Sequence, residues 1–164
     1  METMEKRRFR FVVSHKSLDT IADLESLRAS RLGENCTRES LLAALDSHYR
    51  AVERHYHEHQ QNITLGLTLV GMPTPRVLYG HLVEIVRCGA LCNAIGAIHT
   101  LLKNGSPDEE IHRELAALAP LPLDAPSLHH DVLKMFECMR KSMIETDQAL
   151  FGSLSPVTPA HDTP

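Results

Sequence analysis

The stretch Arg8-Phe9-Arg10-Phe11-Val12-Val13, with the two short amphipathic patterns that follow it on either side of Gly33, decides how this chain folds. On a strand, successive side chains point to opposite faces, so Phe9, Phe11 and Val13 share one side while Arg8, Arg10 and Val12 share the other. One face needs an apolar cover and the other attracts anions. A lone strand leaves its N–H and C=O groups unpaired, and the simplest partner is the same strand of a second copy. Two such strands paired antiparallel form a ribbon narrow enough for a DNA major groove. The segment therefore predicts a homodimer that binds double-stranded DNA.

The next forty residues extend that reading. Leu18, Ile21, Leu24, Leu27 and Leu32 recur at spacings that keep one stripe apolar, while Asp19, Asp23, Glu25 and Arg28 lie largely off it. This pattern predicts a helix covering the strand. Gly33 suits a left-handed C-terminal stop, Glu34-Asn35-Cys36 a turn, and Thr37 an N-cap for a second helix carrying Leu41, Leu42, Leu45 and Tyr49. A capped helix start offers free N–H groups and the positive end of the dipole to a phosphate, and Arg38 adds a full charge beside it.

From Arg7 to about Tyr49 these residues resemble the ribbon-helix-helix (MetJ/Arc-like) DNA-binding family. The resemblance implies base contacts from the groove-facing strand residues Arg8, Arg10 and Val12, with Arg7 beside them, and a phosphate clamp at Thr37 and Arg38. The alternative is an N-terminal strand packed into an ordinary α+β domain. Against it stands the concentration of Lys6, Arg7, Arg8, Arg10 and Lys16 in a chain whose formal net charge is −4. A local basic surface in an acidic chain excludes a protein that coats nucleic acid along its whole surface.

Composition bounds the remainder. The 164 residues have room for one domain, or for a small module and a second of similar size. Hydrophobic residues at 43% support a core, and aromatics at 4% with no Trp point to aliphatic helix packing. Cys36, Cys88, Cys92 and Cys138 show no disulfide framework, and neither a signal peptide nor a membrane-length apolar run is evident. A reduced, cytoplasmic protein with no membrane contact is expected.

After Tyr49 the pattern is polar and histidine-rich to residue 61, and the apolar run from Asn62 to Val70 fits strand or buried helix equally. Met72-Pro73-Thr74-Pro75 is a break. A long helix is expected from Val77 to Lys103, stopped by Asn104-Gly105-Ser106-Pro107, then a short one over Asp108 to Leu118. A proline-rich loop leads to a last helix from Ser127 to about Phe151, with the stripe Leu128, Val132, Met135, Met139, Met143 and Leu150. The expected fold is mainly α: a ribbon-helix-helix module over residues 1–51, a helical oligomerisation or partner domain over 52–151, and a disordered tail over 152–164.

The long helix is apolar on more than one side and carries a narrow strip of Gly89, Cys92, Asn93 and Gly96. Glycine costs about 1 kcal/mol inside a helix, so a packing reason is expected. The run from Glu84 to Ile95, continuing to Leu102, resembles the helical segment of plasmid mobilisation and conjugation accessory proteins through Gly89, Asn93 and Ile95. That resemblance implies binding near an origin of transfer, repression of the chain's own operon, and a relaxase as partner. The competing reading is a generic packed helix.

His55, His57 and His59 alternate, and with Cys88 or Cys92 they would suit Ni, Cu or Zn. Such a chain would resemble the nickel-responsive regulators, which begin with the same module. If the second helix continues to Gln60, however, the three histidines splay over more than half a turn and cannot all meet one ion. No metal ligands and no cofactor are therefore assigned. His99 to Gly105 and His129-His130-Asp131 lack the partners that phosphotransfer or catalysis would require, and no enzyme is expected. The leading expectation is a sequence-specific DNA-binding homodimer or higher oligomer that acts as a relaxosome accessory protein. A metal-responsive repressor of the same fold and a helical adaptor without nucleic acid are the alternatives.

Overall fold

The structure is a computed structural model that describes residues 18, 21, 23–33, 35–65 and 75–152. Among these residues it is mainly helical and has no strand: α1 (Leu24–Ala29), α2 (Arg38–Leu65), α3 (Pro75–Lys103), α4 (Asp108–Ala117) and α5 (Pro126–Phe151). Arg7, Arg8, Arg10 and Val12 lie outside the described residues, with the rest of the expected ribbon strand, and so does the expected tail beyond Gly152.

Local chemistry explains most of the boundaries. Gly33 and Cys36 exchange backbone hydrogen bonds at 3.1 and 3.3 Å, closing the turn expected there. Thr37 caps α2, its Oγ1 accepting from the Ser40 N–H at 3.1 Å. The helix then runs without interruption to Leu65, so the undecided segment after Asn62 begins as helix. α3 starts at Pro75, where a missing N–H and a fixed φ cost nothing. It ends in a Schellman motif: Gly105 takes φ 72°, its N–H reaches Leu102 O at 3.2 Å, and Ser106 N–H reaches Leu101 O at 3.0 Å. Asp108, Glu109 and Glu110 fill the first turn of α4, where the dipole favours them. α1 is shorter than the apolar pattern suggests, because Asp23 adopts a left-handed φ of 40° at its N-cap.

Two apolar clusters hold the helices. The larger joins Leu18, Leu24, Leu27, Leu41, Leu45 and Val52 to Cys88, Leu91, Ile95, Ile98 and Leu102 of α3 and to Ile111 and Leu115 of α4. The smaller unites Ile63 of α2, Leu78, Leu82 and Ile85 of α3, and Leu128 and Val132 of α5, with Met135 and Met139 packed on its edge. Each large aliphatic side chain so buried contributes about 1.5–3 kcal/mol. The boundary expected near residue 51 falls inside α2, and the first two helices share one core with α3 and α4. By length and mean hydropathy, 1.5, α3 could cross a membrane. Here it is the core helix that α2, α4 and α5 pack against.

Candidate metal centre

The two clusters share the half-buried Tyr56 at their border, and no fully buried residue belongs to both. Between Val52 and Ile63 on α2, the buried positions are held by His55 and His59; facing them on α3, the buried His81 and Arg87 and the partly exposed Glu84 interrupt the apolar positions. A polar layer therefore crosses the middle of the α2–α3 pair, with apolar core on both sides. Positions four apart share a helix face, which places His55 and His59 together and turns His57 to the exposed side, where its Nδ1 meets Gln60 Oε1 at 3.1 Å. Positions three apart do the same for His81 and Glu84.

The layer forms a chain of short contacts. His59 Nε2 is 3.1 Å from His55 Nε2, and His55 Nε2 is 3.4 Å from Glu84 Oε2. On its other side, His59 Nδ1 is 2.9 Å from His81 Nδ1. The other Glu84 oxygen, Oε1, accepts from Arg87 at 3.0 Å, and Arg87 Nε donates to Leu121 O at 2.9 Å. His55 Nδ1 faces Glu58 Oε2 at 3.9 Å.

Proton counting defines what this arrangement lacks. A neutral imidazole carries one N–H. His55 Nε2 must be protonated to face a carboxylate, and it then has two acceptors, Glu84 Oε2 and His59 Nε2, for a single proton. His59 is left to donate through Nδ1 to His81. Two lone-pair atoms, Glu84 Oε2 and His59 Nε2, thus converge on one hydrogen. Burial, reinforced by the charges of His55 and His81 and opposed by Glu84, pushes the His59 pKa down to about 4, and burial also lowers His81. Neutral imidazoles with free lone pairs are the form that binds metal.

The donor set fits an ion. His55, His59 and Glu84 each offer one ligand atom, and these lie within 4.8 Å of one another. A tetrahedral ion with bonds of about 2.0–2.1 Å holds its ligand atoms roughly 3.3–3.4 Å apart, close to the two separations seen here. Each ligand also has an outer partner. His81 receives the His59 Nδ1–H, Arg87 holds the second Glu84 oxygen, and Glu58 faces His55 Nδ1, where the ring proton moves once Nε2 is coordinated. Two imidazoles and one carboxylate suit Zn(II), Co(II), Ni(II) or Fe(II) and leave at least one position for water.

The cysteines considered with the histidines stand elsewhere. Cys88 belongs to the larger core, and burial, with Glu84 and Cys92 adding to it, raises its thiol to about 12. Cys92 is half-buried, its thiol also raised by burial and by Glu53. His129 contacts Tyr79 OH at the surface, at 2.9 Å. Arg38, expected at a phosphate, is engaged within the chain: its guanidinium donates to Ser106 O at 2.7 Å, to Leu102 O at 3.4 Å and to Asp108 Oδ1 at 2.6 Å, capping the end of α3. His81 and Glu84 carry no local mark in the sequence; their signal is His-x-x-Glu on one helix opposite His-x-x-x-His on another.

No protein-family model, curated protein or solved structure matches this chain. The site has only its own chemistry to identify it.

Proposed function

We propose that this chain is a metal-responsive DNA-binding protein. Its helical body binds one divalent first-row transition-metal ion through His55, His59 and Glu84, and its amino-terminal segment, paired with that of a second copy, contacts double-stranded DNA. The observation that carries the proposal is the convergence of three possible ligand atoms, with contacts of 3.1 and 3.4 Å, at a place where one proton has two acceptors, inside a layer flanked by apolar core. A buried polar layer costs stability unless its groups are satisfied, so a binding role accounts for it better than packing does.

The DNA half rests on the basic alternation of Arg7, Arg8, Arg10 and Val12 and on the capped start of α2 at Thr37. A relaxosome role with a relaxase partner would use the same dimer, but it gives the histidine layer no task. The test is a shift assay of the full-length chain on its own upstream DNA against random DNA, at fixed salt, with one equivalent of Zn(II) or with chelator. A specific complex whose affinity changes at least tenfold with metal is expected. Equal binding to both DNAs, or an affinity indifferent to metal, would contradict the proposal.

A further inference from the structure

Glu84 uses its two oxygens for different purposes. Oε2 faces the histidines and Oε1 faces Arg87. The Arg87 side chain is only 9% exposed, and its Nε donates to the carbonyl of Leu121, in the segment that joins α4 to α5. That segment has few ties of its own. Pro120, Pro122 and Pro126 lack an N–H, Leu123 is 70% exposed, and within 119–125 the other backbone bonds are both at Ala125, whose N–H donates to Pro122 O at 3.1 Å and whose O accepts from Leu128 N–H at 3.0 Å. Leu121 and Ala125 nevertheless pack on the smaller apolar cluster, which positions the first turns of α5 through Leu128 and Val132.

We infer that Arg87 is a positioning residue through which occupancy of the metal centre is passed to the segment 118–125 and the start of α5. This rests on the metal-binding reading of His55, His59 and Glu84. Without an ion, the Glu84 carboxylate, itself partly exposed, is held on the histidine side by a shared N–H alone. An ion on Oε2 fixes the carboxylate, and the fixed Oε1 holds one prong of the guanidinium. The planar fork then holds its Nε–H on Leu121 O. The ion and the guanidinium are both cations, but each takes a separate oxygen of the same carboxylate, as outer partners of metal-bound carboxylates do. The ion therefore stiffens a peptide whose other ties are the packing of Leu121 and Ala125 and the backbone bonds at Ala125. Because α5 packs on α3 beyond this point, the change reaches a helix that contributes no ligand.

Hydrogen exchange tests the link. The full-length chain, wild type and Arg87→Lys, is exchanged with chelator and with one equivalent of Zn(II), and Zn(II) binding is measured separately by calorimetry. Lysine keeps the charge but lacks the fork that spans two acceptors. Arg87→Gln, which removes the charge, serves as a second variant. In the wild type, Zn(II) should slow exchange over 118–131 at least about fivefold, the lower end of ordinary coupling. Both variants should bind Zn(II), weakened by no more than about 10–100-fold, and lose that metal-dependent slowing. A wild-type chain that binds one Zn(II) without slowed exchange in this segment, or with faster exchange, overturns the link and leaves the metal centre standing. So does a variant that retains the full effect. A wild-type chain that binds no Zn(II) overturns both.

Discussion

His59 Nε2 lies 3.1 Å from His55 Nε2, one turn away on the buried face of α2, with the two rings edge to face at a centroid distance of 4.5 Å. Two neutral imidazoles can share one hydrogen bond at this distance, but a carboxylate oxygen completing the triangle competes for the same proton. A divalent ion satisfies all three atoms at once. From this relationship the properties of the centre follow, and several of them can be measured without DNA.

The metal-free protein should lose stability as pH falls. His59 has a folded pKa of about 4 against 6.5 for the free side chain, so the unfolded chain binds the proton more readily. Stability from this group is complete above about 6.5 and declines from there down to about 4. The loss should reach up to about 3 kcal/mol. Urea titrations with chelator at pH 7.5 and 4.5 check it, and a midpoint unchanged over this range would show that His59 is not held neutral.

Replacing the inner polar pair with apolar groups should not harm the metal-free fold. His59 and His81 hydrogen-bond to each other between two leucine-rich clusters. The double variant His59→Leu/His81→Leu removes both partners of that bond, which is close to neutral or stabilising, whereas His81→Leu alone strands His59 Nδ1 and should cost about 1–3 kcal/mol. Thermal melting of the three chains with chelator separates these outcomes.

The thiols should sort by burial. Cys138 is exposed, whereas Cys88 is fully buried with its thiol raised to about 12. A thiol reagent at pH 8 should modify Cys138 rapidly and Cys88 only after denaturation. Prompt labelling of Cys88, located by peptide mapping, would mean that the larger core opens readily.

Arg38 should matter for stability whatever it does on DNA. It donates to Ser106 O, Leu102 O and the Asp108 carboxylate, and side-chain exposures of 33% and 54% limit the ion pair to a modest share. Arg38→Ala should cost about 1–2 kcal/mol through the uncapped end of α3. If Arg38 also clamps a phosphate, it must leave Asp108, and Asp108→Ala should then raise DNA affinity at low salt rather than leave it unchanged.

Much of the helical fold is legible in the sequence because single residues mark it: Thr37 as a cap, Gly105 as a stop, and the stripe Leu128, Val132, Met135 and Met139, whereas Pro75 and Pro126, which read as a break and as the end of a loop, are the first residues of α3 and α5. The metal centre is not legible in the same way. Alternation draws His57 into one group with His55 and His59, and only the helical spacing of four removes it. The remaining donor, Glu84, lies 25 residues further on, and nothing local states the register that brings α3 against α2. The shared core is hidden for the same reason: Leu41 and Leu45 read as the end of a small module until Ile95 and Leu102 are placed against them.

Direct titration of the full-length, metal-free chain with Zn(II) tests the centre most simply, run in parallel on wild type, His55→Ala, His59→Ala, Glu84→Gln and the exposed-face control His57→Ala. The geometry predicts one ion per chain for wild type and His57→Ala, and an affinity lower by more than about 100-fold for the other three, since loss of an outer partner alone costs 10–100-fold. Binding that survives in His55→Ala and His59→Ala, or that is lost in His57→Ala, or the absence of any ion in the wild type, would contradict it.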